Sequence, residues 1–264
     1  ASTYADVART TSGLTLIAQG DKGLNVYQLN ATQTELPTPI GTVGNLGPRH
    51  TGSYSLLFDH NRLFVAGSQF SEDDVEGFFG CYDGTKWSDM DEDRARTETS
   101  YEGRYGMKYK NTSHMAVDPS DPEHVFMTSM LEGLYEYRNG KIVNLYNTDN
   151  SALQCPPVVD AGARNSNVRL GGCAFDKDGN LWITNNYADT LLTVLKPNGD
   201  WMHVAGYYNS YWQGAERILF DSRGYLWVNG RTWTNPIGAG IMLLDYGGTL
   251  NNKSDDRSVY FTAA

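Results

Sequence analysis

Cysteine is scarce in this 264-residue chain, where Cys81, Cys155 and Cys173 are odd in number, widely spaced and never form a C-x-x-C pair. Thiol-redox and cysteine-based zinc motifs therefore have no basis in the sequence. Cys81 and Cys173 fall inside strand patterns, where a thiol packs as a small hydrophobe, and a single bridge between two of the three stays open. Long apolar runs are also missing. No segment approaches the roughly 20 residues a membrane-spanning helix needs, and the opening Ala1-Ser2-Thr3-Tyr4 has neither a basic end nor an apolar stretch. Any export signal is thus expected to have been removed or to lie outside this chain. Positive charge is in deficit: 21 basic residues are scattered among 31 acidic ones, for a net charge of -10. That balance speaks against a nucleic-acid surface and leaves any anionic ligand to be met by local arginines.

What the chain does contain is a repeat. An apolar strand ends in Asp, a tight polar turn follows, and a strand of the form Leu/Val-aromatic-β-branched comes next. The copies are SLLFDHNRLFVAG (55–67), HMAVDPSDPEHVFMTS (114–129), GGCAFDKDGNLWITN (171–185) and RILFDSRGYLWVNG (217–230), with Asp59, Asp118, Asp176 and Asp221 as the marker residues. Each copy leads into a third strand and a turn, in 77–87, 133–143, 191–201 and 240–250, where Asp-Gly, Asn-Gly and Gly-Gly pairs favour two-residue hairpins. A fourth strand follows through KWSDM, KIVNLY, WMHVA and SVYFT. LTLIAQGDKGLNVYQLN (14–30) supplies the second and third strands of a fifth copy. Matched quartets of strands predict an all-β fold, a β-propeller of four-stranded antiparallel blades. At least five blades are visible, over about 1–45, 50–93, 112–148, 168–206 and 215–264 of a single domain. A β-sandwich would not repeat in matched quartets, and helices should be few because no 3.6-residue period is sustained. The chain is expected to open in the middle of a blade and to be a piece of a longer protein.

Strand order within a blade then separates two sets of connections. The first-to-second and third-to-fourth turns are expected to be uniformly short. The second-to-third and blade-to-blade connections, including 68–76, 88–113, 147–168, 186–190, 206–215 and 231–239, are expected to be long and varied and to share a face that carries function. That face is chemically distinctive. Arg96, Tyr101, Arg104 and Tyr105 interleave basic and aromatic side chains; Tyr207, Tyr208, Tyr211 and Trp212 crowd nine residues; Arg164, Arg231 and Trp233 add to them. Rings offer flat apolar area and arginines offer directed hydrogen bonds, a combination that suits a protein or glycan partner. Packing of these rings against neighbouring loops is the plainer alternative for each residue taken singly.

Catalytic and metal-binding signatures are missing. His50, His60, His114, His124 and His203 show no H-E-x-x-H spacing, and there is no G-x-S-x-G, phosphate-loop or dinucleotide fingerprint. The stretch Asp176-Lys177-Asp178-Gly179-Asn180 resembles the start of a calcium loop but lacks the distal Glu, and a turn wants the same residues. Neither a metal nor a cofactor is expected, and no enzyme activity; a propeller lyase or glycosidase is the weaker alternative, since its carboxylates would converge in space and leave no trace in sequence order.

The segment 116–153, read as "DP-x-P-x-H … S … GL-x-E … NSxL", together with VRLGGCAFDKDGNLWITN (168–185) and 220–256, resembles PorZ-type propeller proteins of the Bacteroidetes and the two-component-regulator propeller repeats of hybrid sensor kinases. The resemblance implies an extracytoplasmic protein of the periplasm, outer membrane or cell surface, linked to type IX secretion. It also implies a protein, glycan or lipopolysaccharide partner at the envelope. The sensor-kinase relatives imply the alternative, a glycan-sensing ectodomain.

Overall fold

The structure, a computed structural model, describes residues 6–18, 24–30, 32, 35–43, 53–67, 77–90, 110–204, 214–231 and 240–262. Among the described residues twenty strands fall into five four-stranded sheets, each antiparallel where its register is defined. The first contains β1 (Asp6–Arg9), β2 (Leu14–Ala18), β3 (Leu24–Gln28) and β4 (Gly41–Val43), and the second β5 (Ser53–Asp59), β6 (Arg62–Gly67), β7 (Phe78–Tyr82) and β8 (Trp87–Asp89). The third holds β9 (Thr112–Asp118), β10 (Asp121–Ser129), β11 (Gly133–Arg138) and β12 (Lys141–Tyr146). The fourth holds β13 (Leu170–Phe175), β14 (Leu181–Asn185), β15 (Leu192–Leu195) and β16 (Trp201–Val204); the fifth holds β17 (Gly214–Phe220), β18 (Leu226–Arg231), β19 (Ile241–Asp245) and β20 (Arg257–Phe261). These sheets are the blades of a β-propeller. The one helical element among the described residues is a 3-10 segment, Ala161–Ser166.

Cα packing divides the chain into two compact units, Ala1–Ser113 with Tyr137–Ile142, and His114–Glu136 with Val143–Ala264. The first carries a core of Leu16, Ala18, Leu24, Leu63, Val65 and Phe78 between the first two blades. In the second, Trp182, Val194, Ile218, Val228, Met242 and Leu244 fill the space between the fourth and fifth blades.

The motif aspartates explain why the repeat looks as it does. Asp176 Oδ1 accepts the backbone N–H of Asp178 and Asn180 (both 2.9 Å), closing the turn, while Oδ2 accepts Asn180 Nδ2 (2.8 Å), Trp182 Nε1 (2.9 Å) and Tyr246 Oη (3.3 Å). Asp221 repeats the pattern, with Oδ1 on the N–H of Arg223 and Tyr225 and Oδ2 on Trp227 Nε1 at 3.1 Å. The carboxylate thus fixes the turn and the ring six residues on. The calcium-like spacing is turn chemistry, and among the described residues no group of three or more potential ligands gathers to hold a metal ion. In the third blade His124 stands at the ring position and binds Asp118 Oδ2 through Nδ1 at 2.9 Å.

Close approach between blades sets the glycines. A Cβ on Gly171 would lie 1.8 Å from the Ala215 carbonyl oxygen, and one on Gly172 would lie 2.6 Å from the Ile218 nitrogen. Ala215 is held in place by the Asn186 side chain, which accepts its N–H (2.7 Å) and donates to its carbonyl (3.2 Å), and by Thr184 Oγ1 at 3.1 Å. The sequence G-G is therefore a packing requirement of this interface.

Two expectations need correction. The N-terminal blade is complete in its strands: Asp6–Arg9 is its first, paired antiparallel with β2 from Asp6↔Ala18 to Arg9↔Thr15. Its marker was hidden because Thr10 stands where the other blades have Asp, its hydroxyl accepting the N–H of Leu14 at 3.0 Å as Asp176 accepts that of Asn180. Nor are the connections sorted cleanly by length. The third-to-fourth connections 29–40 and 246–256 are long, whereas the second-to-third connection of the third blade, 130–132, is a tight turn. The connection 246–256 is braced internally: Thr249 Oγ1 reaches Asp255, and Asn252 Oδ1 accepts the N–H and the hydroxyl of Ser254.

Candidate functional site

The connection between the third and fourth blades, 147–169, is built by side chains that replace regular pairing. Asn150 accepts the N–H of Asn147 (2.9 Å) and donates to the Leu145 carbonyl (3.0 Å), and Ser151 accepts the N–H of Leu153 at 3.1 Å. The Asn-Ser-x-Leu signature thereby serves as a loop brace. Past Pro156 and Pro157 the chain makes its 3-10 turn, closed by Asn167, which donates its N–H to the Arg164 carbonyl and its side-chain amide to Ala163. Asn185, wholly buried at the end of β14, staples this segment down, accepting the Gln154 N–H at 2.6 Å and donating to its carbonyl at 2.8 Å. Gln154 Oε1 in turn accepts the Thr190 N–H at 3.1 Å.

The result is a cavity of about 620 Å³ at the end of the fourth blade opposite the Asp176 turn, lined in part by Asp149, Gln154, Cys155, Arg164 and Asp189. Arg164, Asp149 and Asp189 are exposed, so a five-donor fork and two carboxylates stand at one opening. Such an arrangement can bind a polar or zwitterionic segment. Among the described lining residues there is no histidine.

Of the residues read from sequence as a binding face, Arg164 and Arg231 are described. Arg96, Tyr101, Arg104, Tyr105, Tyr207, Tyr208, Tyr211, Trp212 and Trp233 lie outside the described residues. Arg164 lines the cavity; Arg231 does not, and pairs with Glu216 at 3.3 Å across β17 and β18. Sequence reading missed Asp149, Gln154 and Asp189, which lie among turn-forming residues and carry no motif.

It also missed two buried clusters. Four residues before the motif aspartates stand Ser55, His114, Gly172 and Arg217, a register that the repeat alignment itself defines. Because Gly172 has no side chain, the backbone of Arg217 passes directly over it, and Arg217 Nε donates to His114 Nε2 at 3.1 Å. Burial, reinforced by the Arg217 charge, pushes the His114 pKa down to about 3, so the ring is a neutral acceptor. In the second cluster His124 is 7% exposed and sits between Asp118 and Glu136 at 2.9 Å each, with Tyr146 Oη donating to Glu136 at 2.8 Å. The "DP-x-P-x-H … GL-x-E" signature is thus a hydrogen-bond chain through Asp118, His124, Glu136 and Tyr146.

The fold defined by these blades is that of β-propellers, and solved structures share it. PorZ, described as an essential surface component of the type-IX secretion system of Porphyromonas gingivalis, matches 97% of this chain and 33% of its own, with a TM-score of 0.67 and 24% identity. The extracellular domain assigned to a hybrid two-component system of B. thetaiotaomicron matches 98% of this chain and 31% of its own, with a TM-score of 0.60 and 14% identity. A gluconolactonase of Xanthomonas campestris matches at a TM-score of 0.53 and 13% identity, over 92% of this chain and 72% of its own. The chain thus spans about a third of the first two, the very pair of propeller types its repeats resemble. No family profile and no curated protein sequence matches it.

Proposed function

We propose that this chain is a non-enzymatic propeller of the cell envelope that docks a protein partner through the connections around the Arg164 cavity. The observation that carries the reading is the cavity itself, where Arg164, picked out by sequence, meets Asp149 and Asp189 on braced loops. Likeness to a secretion-system surface component supports an extracytoplasmic location, and no helix among the described residues is long and apolar enough to cross a membrane. The buried histidines support a structural rather than a catalytic use of the ionisable groups, since both are held by protein partners.

The test replaces Arg104, Arg164, Tyr208 and Trp212 by Ala together. Surface proteins captured from a Bacteroidetes envelope extract are identified, and the principal one is purified and titrated calorimetrically. A loss of at least tenfold in affinity with an unchanged far-UV spectrum is expected; equal binding by variant and parent removes the proposal. The second reading, a glycan-sensing ectodomain, is favoured by likeness to the two-component ectodomain along nearly the whole chain. Binding of the parent to arrayed envelope glycans, lost in the same variant, would select it.

A further inference from the structure

The first unit holds a larger opening. A cavity of about 1000 Å³ lies between the first and second blades, at the end where the Thr10 turn and the turns of the second blade emerge. It sits at the top of the range for small-molecule pockets. Its origin is legible in the repeat. Leu16 faces Ala8 across β1 and β2 as Trp182 faces Ala174 across β13 and β14. On the other wall, Tyr82 pairs with Leu63 as Leu244 pairs with Leu226, so two residues further on Gly84 stands where the fifth blade has Tyr246. Trp182 and Tyr246, with ring centroids 5.0 Å apart, fill the fourth–fifth interface; Leu16 and Gly84 leave the corresponding space open.

The walls define what fits there. Leu16, Leu24 and Leu63 form an aliphatic floor, and Tyr82 and Trp87, with centroids 5.3 Å apart, form an aromatic side. Thr11 and Asn61 place neutral polar groups at the mouth. Among the described lining residues Lys86 is the one charged side chain, and it is exposed. The neighbouring Asp83 carboxylate is engaged through Oδ1 by the N–H groups of Thr85 and Lys86 and by the Thr85 hydroxyl. In a chain of net charge -10, a cation over an apolar floor, with no carboxylate among the described lining residues, favours a ligand with an apolar body and an anionic head.

We propose that this cavity binds a free amphipathic carboxylate, its acyl or aromatic body between the first two blades and its head beside Lys86. The site is separate from the Arg164 cavity, so the two readings stand or fall independently. The test is calorimetry with decanoate and 1-decanol below their aggregation limits, on the parent and on two variants at exposed mouth positions, Thr11→Trp and Lys86→Gln, with circular dichroism confirming that each is folded. One decanoate per chain is expected to bind the parent. Thr11→Trp should weaken it at least tenfold by blocking the mouth, and Lys86→Gln about twofold to fivefold, the scale of an exposed ion pair. Decanol binding should be unaffected by Lys86→Gln. Absence of saturable decanoate binding overturns the proposal, as does equal affinity of the Thr11→Trp variant and the parent. So does binding of phosphatidylglycerol vesicles without binding of free decanoate, which would mark a lipid surface as the target.

Discussion

The interface between the fourth and fifth blades and that between the first and second are built from the same repeat, yet one is packed and the other is open. In the packed one Asp176 holds the indole of Trp182 and the phenol of Tyr246 with a single oxygen, and Phe220 closes the cluster with its centroid 5.8 Å from that of Trp182. In the open one Phe58 is retained but Thr10 replaces the aspartate, Leu16 the tryptophan and Gly84 the tyrosine. The Thr10 hydroxyl is used on Leu14 and Ser12, which leaves no acceptor for a buried ring N–H or O–H. A buried polar tip without a partner costs about 1–3 kcal/mol. Loss of the carboxylate and loss of the two polar rings therefore belong to one change.

The largest effect should come from the backbone contact that the packed interface depends on. Gly171→Ala places a Cβ inside the Ala215 carbonyl, and a loss of more than about 3 kcal/mol is expected from urea unfolding. Gly13→Ala, at φ +85 with open space around it, should cost only about 1 kcal/mol; equal costs would dismiss the close approach. Next in size, Trp182→Leu should destabilise by about 3 kcal/mol through the cavity it creates. Leu16→Trp, which fills a space already present, should stay within about 1 kcal/mol of the parent. A Leu16→Trp variant as unstable as Trp182→Leu would break the comparison between the two interfaces.

The smallest effect at neutral pH lies at the register where the second blade has Ser55 and the third has His114. The folded pKa of His114 is about 3, below the ordinary 6.5. Between those values the unfolded chain takes up a proton that the folded chain refuses, so this residue's contribution is full above pH 6.5 and is lost as pH falls toward 3. Unfolding midpoints measured at pH 7, 5 and 4 should fall more steeply for the parent than for His114→Gln. Parallel slopes would mean that the ring is not held neutral.

Most of the fold was legible because the marker aspartate has one job in three blades: closing a turn and orienting the side chain six residues on, Trp182, Trp227 or His124. Where that chemistry changes, the sequence reading faltered. Thr10 closes the same turn without a carboxylate, so β1 was overlooked. In the second blade Val65 stands six residues after Asp59, and a two-residue turn replaces the longer one, with His60 and Asn61 at φ 45 and 58. The connection 246–256 was misjudged because its order comes from side-chain bonds internal to the loop, which periodicity does not register. Of the candidate site, Arg164 was found through its charge. Asp149, Gln154 and Asp189 join it through folding of the intervening chain, and a linear string shows no sign of that convergence.

The pairing of Asp176 with Trp182 also equips the fourth blade with an optical reporter. An indole that is wholly buried, with its N–H on a carboxylate, emits toward the blue and shifts red when water reaches it. Trp227, partly exposed in the fifth blade and on the corresponding aspartate at 3.1 Å, offers a second emitter in a wetter setting. With the other tryptophans replaced, the two indoles would time the loosening of adjacent blades in one molecule.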